Sequence, residues 1–278
     1  MERKTETGTD AGTGTDIGNK IILNANTQVT GAQTAAVRDA AKNLHRDIRK
    51  AFCRTQQPGC QVRLENGKTE KECFWIGVRE GALVIQASDE LGFIYGIYEI
   101  SRTFLGVPAF WFWNDQEPQH REEVRIPDGY QFRSKPFRVK YRGWFVNDEV
   151  LLHTWMVDRE KDKPWEMVFE ALLRCGGNMV IPGTDRNARK YAALASGMGL
   201  FITHHHAEPL GADMFARVYP DLIPSYDEYP EKFQGLWRDA LERQKNEKVI
   251  WNLGFRGQGD KPCWADDARY QSDAERGK

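Results

Sequence analysis

Residues 178–209 read NMVIPGTDRNARKYAALASGMGLFITHHHAEP. Asn178 to Pro182 is a short apolar run closed by Pro-Gly, and Leu200 to Thr203 is a second one. Between them, Asn187 to Ser196 carries apolar residues at helical spacing. Strand, helix, strand in so few residues is the unit from which parallel sheets are built. The second strand runs directly into His204-His205-His206.

The same rhythm extends to both sides. Upstream, Val139 to Val146 reads as a strand ending in Asn147-Asp148-Glu149, and Pro164 to Cys175 as a helix with proline in its first turn and Gly176-Gly177 after its end. Downstream, Pro230 to Lys245 reads as a long helix. Val249 to Phe255 then reads as a fourth strand, running into Arg256-Gly257-Gln258-Gly259-Asp260. Four strands alternating with helices match half of an eight-stranded barrel, with an open parallel sheet as the structural alternative.

A different pattern precedes Phe137. Lys20 to Leu23 reads as a strand, and Ala35 to Phe52 as a helix with Thr34 at its N-cap. Gln61 to Leu64, Phe74 to Val78 and Ala82 to Ala87 read as strands, the last two joined as a hairpin through Arg79-Glu-Gly. Leu91 to Leu105 reads as a helix capped by Ser88 or Asp89, and its two glycines suit close approach to a sheet. Asn114 to Pro136 is charged, punctuated by proline, and reads as a connecting arm. The expected organisation is a disordered tail over 1–17, a small α/β sandwich domain ending near Trp113, and from Phe137 onward a βα series that is either part of a barrel or an open parallel sheet.

Composition narrows the function classes. Lys plus Arg (39) nearly balances Asp plus Glu (40), which does not suit a nucleic-acid partner. No run approaches the roughly 18 apolar residues of a membrane span. The five cysteines show no metal-ribbon spacing and read as mostly free thiols. Residues 1–17 lack the apolar segment of a secretory signal, so the chain as written is expected in the cytoplasm. Nine tryptophans are many for this length; each suits either a core or a sugar-binding cleft.

Three groups carry candidate chemistry, each just after a different strand. Asn147-Asp148-Glu149 offers a carboxylate for proton transfer or for holding hydroxyls. In His204-His205-His206-Ala207-Glu208, an extended chain would put His204, His206 and Glu208 on one face as a metal set. Alternatively, one or two imidazoles bind substrate oxygens or a carboxylate. Arg256 presents a fork that matches a carboxylate, between glycines that allow close approach, with Asp260 following. The parallel fold would gather all three at one rim.

Four motifs resemble glycoside hydrolase family 115, the xylan α-1,2-glucuronidases. They are Gly92-Phe-Ile-Tyr-Gly-Ile-Tyr-Glu-Ile-Ser101, Lys140-Tyr-Arg-Gly-Trp-Phe-Val-Asn-Asp-Glu149, His205-His-Ala-Glu-Pro209 and Gly254-Phe-Arg-Gly-Gln-Gly-Asp260. The resemblance implies an α/β domain over 18–130, followed over 137–278 by the incomplete first part of a (β/α)8 TIM barrel. It also implies removal of glucuronic or 4-O-methylglucuronic acid from glucuronoxylan or acidic xylo-oligosaccharides by inversion. The sequence offers no second His/Asp ligand cluster, so no metal and no cofactor are expected. Asp148 and Asp260 are then the catalytic candidates. Asn147, His205, His206, Glu208 and Arg256 are the substrate-binding candidates. A homodimer is one assembly open to a full-length protein. Two features depart from the pattern: many relatives are exported, and the later barrel strands, with the family's catalytic Glu, would lie beyond Lys278.

Overall fold

The computed structural model of the chain describes residues 20–147, 149–254, 262 and 268–276, the side chain of Glu149 excepted. Its first half contains β1 (Lys20–Leu23), β2 (Gln28–Thr30), α1 (Ala35–Ala51), β3 (Gln61–Asn66), β4 (Phe74–Arg79), β5 (Ala82–Ala87), α2 (Glu90–Phe104), β6 (Val124–Pro127) and β7 (Gln131–Arg133). Its second half contains β8 (Gly143–Phe145), α3 (Glu149–Thr154), α4 (Lys163–Arg174), β9 (Met179–Ile181), α5 (Asp185–Gly197), β10 (Phe201–Ile202), α6 (Phe215–Val218), α7 (Pro230–Arg243) and α8 (Asp273–Arg276). The expected tail over 1–17 lies outside the described residues.

In the first half, five strands form one mixed sheet in the order β2-β3-β5-β4-β7. The β4–β5 hairpin is antiparallel, with Glu80 and Gly81 at positive φ in its turn. Thr34 caps α1 by accepting a hydrogen bond from the Val37 N–H (3.3 Å), and Asp89 caps α2 by accepting from Gly92 (2.8 Å). The α2 helix lies against the sheet because Gly96 carries no side chain. A Cβ there would come within 2.6 Å of Ile85 Cγ2. That approach fully buries Ile94, Ile97 and Ile100, each contributing about 1.5–3 kcal/mol of apolar burial.

The stretch read as a connecting arm, 114–136, is more structured than that. Its β6 pairs antiparallel with β1, and its β7 closes the edge of the main sheet against β4. Both are short, and their charged residues face solvent, so the local pattern carries little of the strand signal. The edge strand β2 was likewise not read from the sequence.

In the second half, β8, β9 and β10 form a parallel sheet in sequential order. The fourth strand is reduced, among the described residues, to one parallel bridge between Ile202 and Val249. This is a partial, unclosed sheet of βα units. The first strand is also shorter than the expected 139–146. The Val139 and Lys140 carbonyls accept from Arg142 Nη1 (2.8 and 3.2 Å), and Asn178 Nδ2 also donates to Lys140 (2.8 Å). Side chains thereby take the backbone groups that a longer ladder would need.

The two halves share buried polar contacts. Arg142 Nη2 pairs with Glu72 Oε2 at 2.5 Å, Asn178 Nδ2 donates to Glu72 Oε1 at 3.1 Å, and the Tyr95 hydroxyl donates to the Gly177 carbonyl at 2.9 Å. A second cluster joins Arg46 and Asp47 of α1 to Glu170 and Arg174 of α4. Burial pushes the Glu170 carboxyl up. Hydrogen bonds from Arg46 and the charges of Arg174 and Arg46 outweigh it and hold the group at about 2. Among the described residues Cys53, Cys60, Cys73 and Cys175 are free thiols. No described helix is long and apolar enough to cross a membrane.

Candidate functional site

The β8–β10 sheet has two unlike faces. Trp144, Val180 and Ile202 stand in register on one of them; Val180 and Ile202 are fully buried, and Trp144 stacks on Phe110 (centroids 5.9 Å apart). The opposite face carries Phe145, Met179, Ile181 and Phe201, all partly or largely exposed. In a barrel this second face would turn inward. Residues beyond the C-terminal ends of the strands form the rim where such folds place their sites.

At that rim Asn147 is exposed just after β8. Beyond β9, α5 opens on Asp185, whose φ of 53° is left-handed for a residue with a side chain, at a cost of about 1–3 kcal/mol. Its backbone N–H donates to Glu208 Oε1, and its carboxylate pairs with Arg217 at 3.0 Å. Glu208 is only 3% exposed, so its carboxylate works at least in part as a tie between the loops after β9 and β10.

The histidines divide between the two faces. His204 is buried and turned toward α7, where Nε2 meets Gln244 Oε1 at 2.6 Å. Burial lowers its pKa, with the nearby Arg243 charge adding to the effect and the Gln244 hydrogen bond opposing it. His205 is half-buried, and its ring lies 5.4 Å from that of Phe145 on the other face. His206 is exposed, its ring centroid 3.7 Å from that of His205. The chain beyond Ile202 leaves the strand and turns, with Glu208 N–H donating to the His205 carbonyl (2.9 Å).

This departs from the extended reading in which His204, His206 and Glu208 share a face. Among the described residues no group of three His, Cys, Asp or Glu side chains is placed to hold a metal ion. His204 is engaged with Gln244 and Glu208 with the Asp185 backbone, so that metal set is not assembled.

Two further residues meet at the rim. Phe145 adds an aromatic ring that is 38% exposed beside His205. Asn252, just past the Val249 bridge, donates from Nδ2 to the His205 carbonyl (3.0 Å) and accepts at its own carbonyl from Leu210 N–H (2.8 Å). The alternation of β8 could have singled out Phe145, whereas Asn252 carries no local signal. Asp148, Arg256 and Asp260 lie outside the described residues. The structure thus brings Phe145, His205, His206 and Asn252 together, with Asn147 at the end of the neighbouring strand.

A glycosyl hydrolase family 115 model matches residues 134–275. Among solved structures, the chain is similar to BtGH115A, described as a family GH115 4-O-methyl-α-glucuronidase with specificity for decorated arabinogalactans. The TM-score is 0.71 at 23% identity, over 87% of this chain and 37% of that one. It is also similar to a chitobiase of Flavobacterium johnsoniae, with TM-score 0.54 and 13% identity over 88% of this chain and 44% of that one. At these identities the likeness is one of fold, and the chain spans well under two thirds of either structure. No curated protein sequence matches it. The family match covers the whole βα series and both rim loops described above, and on that ground the chain belongs to glycosyl hydrolase family 115.

Proposed function

We propose that this chain carries the substrate-recognising rim of an α-glucuronidase that removes glucuronic or 4-O-methylglucuronic acid side groups from glucuronoxylan, with inversion. Family membership supports hydrolase chemistry on a glycosidic bond. The observation that carries the reading is the grouping of His205 and His206 beside Phe145 at the C-terminal ends of parallel strands. A uronic acid presents an apolar ring face, which suits Phe145, and hydroxyl and carboxylate oxygens, which suit imidazole N–H groups.

Further roles follow from the motifs. Arg256 clamps the sugar carboxylate through two parallel hydrogen bonds. Asn147 holds a hydroxyl. Asp148 and Asp260 are the candidate proton-transfer groups; inversion requires a general acid and a general base about 6.5–9.5 Å apart with water between them.

The test is release of glucuronic acid from glucuronoxylan, with proton NMR following the first anomer formed. Initial release of the β-anomer from the α-linkage supports the reading. Release only from a decorated arabinogalactan would reassign the polymer. Binding without release would make the chain a sugar-binding module, and neither binding nor release would overturn the proposal.

A further inference from the structure

We infer that Gln244, acting through His204, is a positioning residue for the His205–His206 imidazole pair. As a statement about recognition this rests on the glucuronidase reading; as a statement about geometry it stands alone.

Gln244 closes the C-terminal end of α7 and is 3% exposed. Its amide makes two contacts to the loop after β10 and one to its own helix. Oε1 meets His204 Nε2 at 2.6 Å, while Nε2 donates to the carbonyls of Leu210 (3.3 Å) and Ala240 (3.2 Å). With the amide oxygen as acceptor, His204 carries its proton on Nε2. Burial lowers the pKa of that ring, against the opposing effect of the Gln244 hydrogen bond.

The loop is shaped to admit this contact. Gly211 sits at φ 72°, and a Cβ there would fall 2.4 Å from His204 Nε2 and 2.6 Å from Gln244 Nε2. Leu210 is held in the left-handed region (φ 58°), a conformation that persists only when surrounding contacts over-determine it. Its carbonyl is held by Gln244 and its N–H by the Asn252 carbonyl. Asn252 in turn holds the His205 carbonyl.

The consequence is directional. Fixing His204 against the helix layer commits the next residue to the other side, where the His205 ring meets Phe145. Without the Gln244 contact, His204 loses this hydrogen bond at Nε2, and the Leu210 carbonyl loses the one from the Gln244 amide. Gln244 touches no substrate in this scheme. It sets where the imidazoles stand, as supporting groups do for a binding site.

The experiment compares the full chain with Gln244→Leu and Gln244→Glu. It reads the Phe145–His205 nuclear Overhauser effect, the His205 and His206 Cε1–H resonances, and the affinity for free glucuronic acid. Gln244→Leu removes all three hydrogen bonds. It is expected to abolish the ring contact, displace both resonances and weaken glucuronate binding about tenfold, while the Trp165 core resonances stay in place. Gln244→Glu keeps the acceptor for His204 and is expected to retain the ring contact.

A folded Gln244→Leu protein with the ring contact and both resonances unchanged would overturn the inference. So would a folded Gln244→Glu protein that has lost the contact, and this arm decides if the leucine variant does not fold. If the unaltered chain does not bind glucuronate, the functional proposal fails, and the ring contact still decides the positioning role.

Discussion

Arg46 on α1 and Glu170 on α4 meet as a fork on a carboxylate, with Nη2 to Oε1 at 2.6 Å and Nη1 to Oε2 at 2.9 Å. Arg174 adds a contact to the same Oε1 at 2.7 Å and reaches Asp47 as well. The Trp111 indole N–H donates to Oε1 from a third side (3.3 Å). Glu170 and Asp47 are essentially buried, so charge balance across α1 and α4 is a condition of the packing. The cluster explains how a charged pair of helices can join the mixed sheet to the βα series.

Glu170→Gln should therefore destabilise the chain by about 3–5 kcal/mol, because it leaves two guanidinium groups facing one carboxylate in a buried setting. Urea unfolding monitored by tryptophan fluorescence would show it as a lower midpoint. A change below about 0.5 kcal/mol would mean that the cluster adds nothing beyond its packing.

The same carboxyl sets a pH response. Its folded value of about 2 lies below the ordinary 4.5, so its stabilising contribution is complete above 4.5 and is lost as pH falls toward 2. The loss amounts to about 3 kcal/mol. Melting temperature measured from pH 6 to 2 should fall mainly below 4.5, and the Glu170→Gln protein should show a shallower fall over the same window.

Two glycine replacements should have opposite signs. Gly96→Ala puts a methyl group 2.6 Å from Ile85 Cγ2 and 3.3 Å from Phe74 Cγ, and should cost about 1–3 kcal/mol. Gly235 lies inside α7, and no atom of the described residues comes within 4 Å of an added Cβ, so Gly235→Ala should stabilise by about 0.5–1 kcal/mol. Thermal unfolding of the pair separates steric from conformational effects of the same methyl group.

Arg256→Ala tests the proposed carboxylate clamp. Affinity for glucuronoxylan should fall by about tenfold or more, while affinity for unsubstituted xylan changes little. Isothermal titration on both polymers measures the contrast, and equal losses would assign Arg256 to another task.

Phe145→Ala and His205→Ala should each weaken glucuronate binding by about 1 kcal/mol or more with little change in melting temperature, because Phe145 is 38% exposed and His205 half-buried. Retained affinity in both variants would remove the observation on which the proposed function rests.

The comparison of sequence with structure follows from where each signal resides. Helix α1 and its Thr34 cap, the β4–β5 hairpin and the glycines of α2 were legible because cap, turn and periodicity are local properties. Strands β2, β6 and β7 were not, since they are mostly exposed and lack the apolar run that marks the equally short β1 and β9. In β7, Phe132 finds its place beside Phe74 (ring centroids 5.9 Å apart), a contact no local window contains.

At the rim, the cluster of histidines was visible but not its division between two faces. Strict alternation predicts His204 and His206 together only while the chain stays extended, and the strand ends at Ile202. What turns His204 inward is Gln244, forty positions along the chain, on a helix whose register follows from its own packing.

The sequential order of β8, β9 and β10 also bears on how this half of the molecule is made. Gly143 pairs with Met179, and Met179 with Phe201, so each strand adds to the one synthesised just before it. Strand neighbours that are also chain neighbours keep contact order low for a parallel sheet. A chain leaving the ribosome can therefore lay down this sheet unit by unit, and the rim loops acquire their supporting strands in the order of translation.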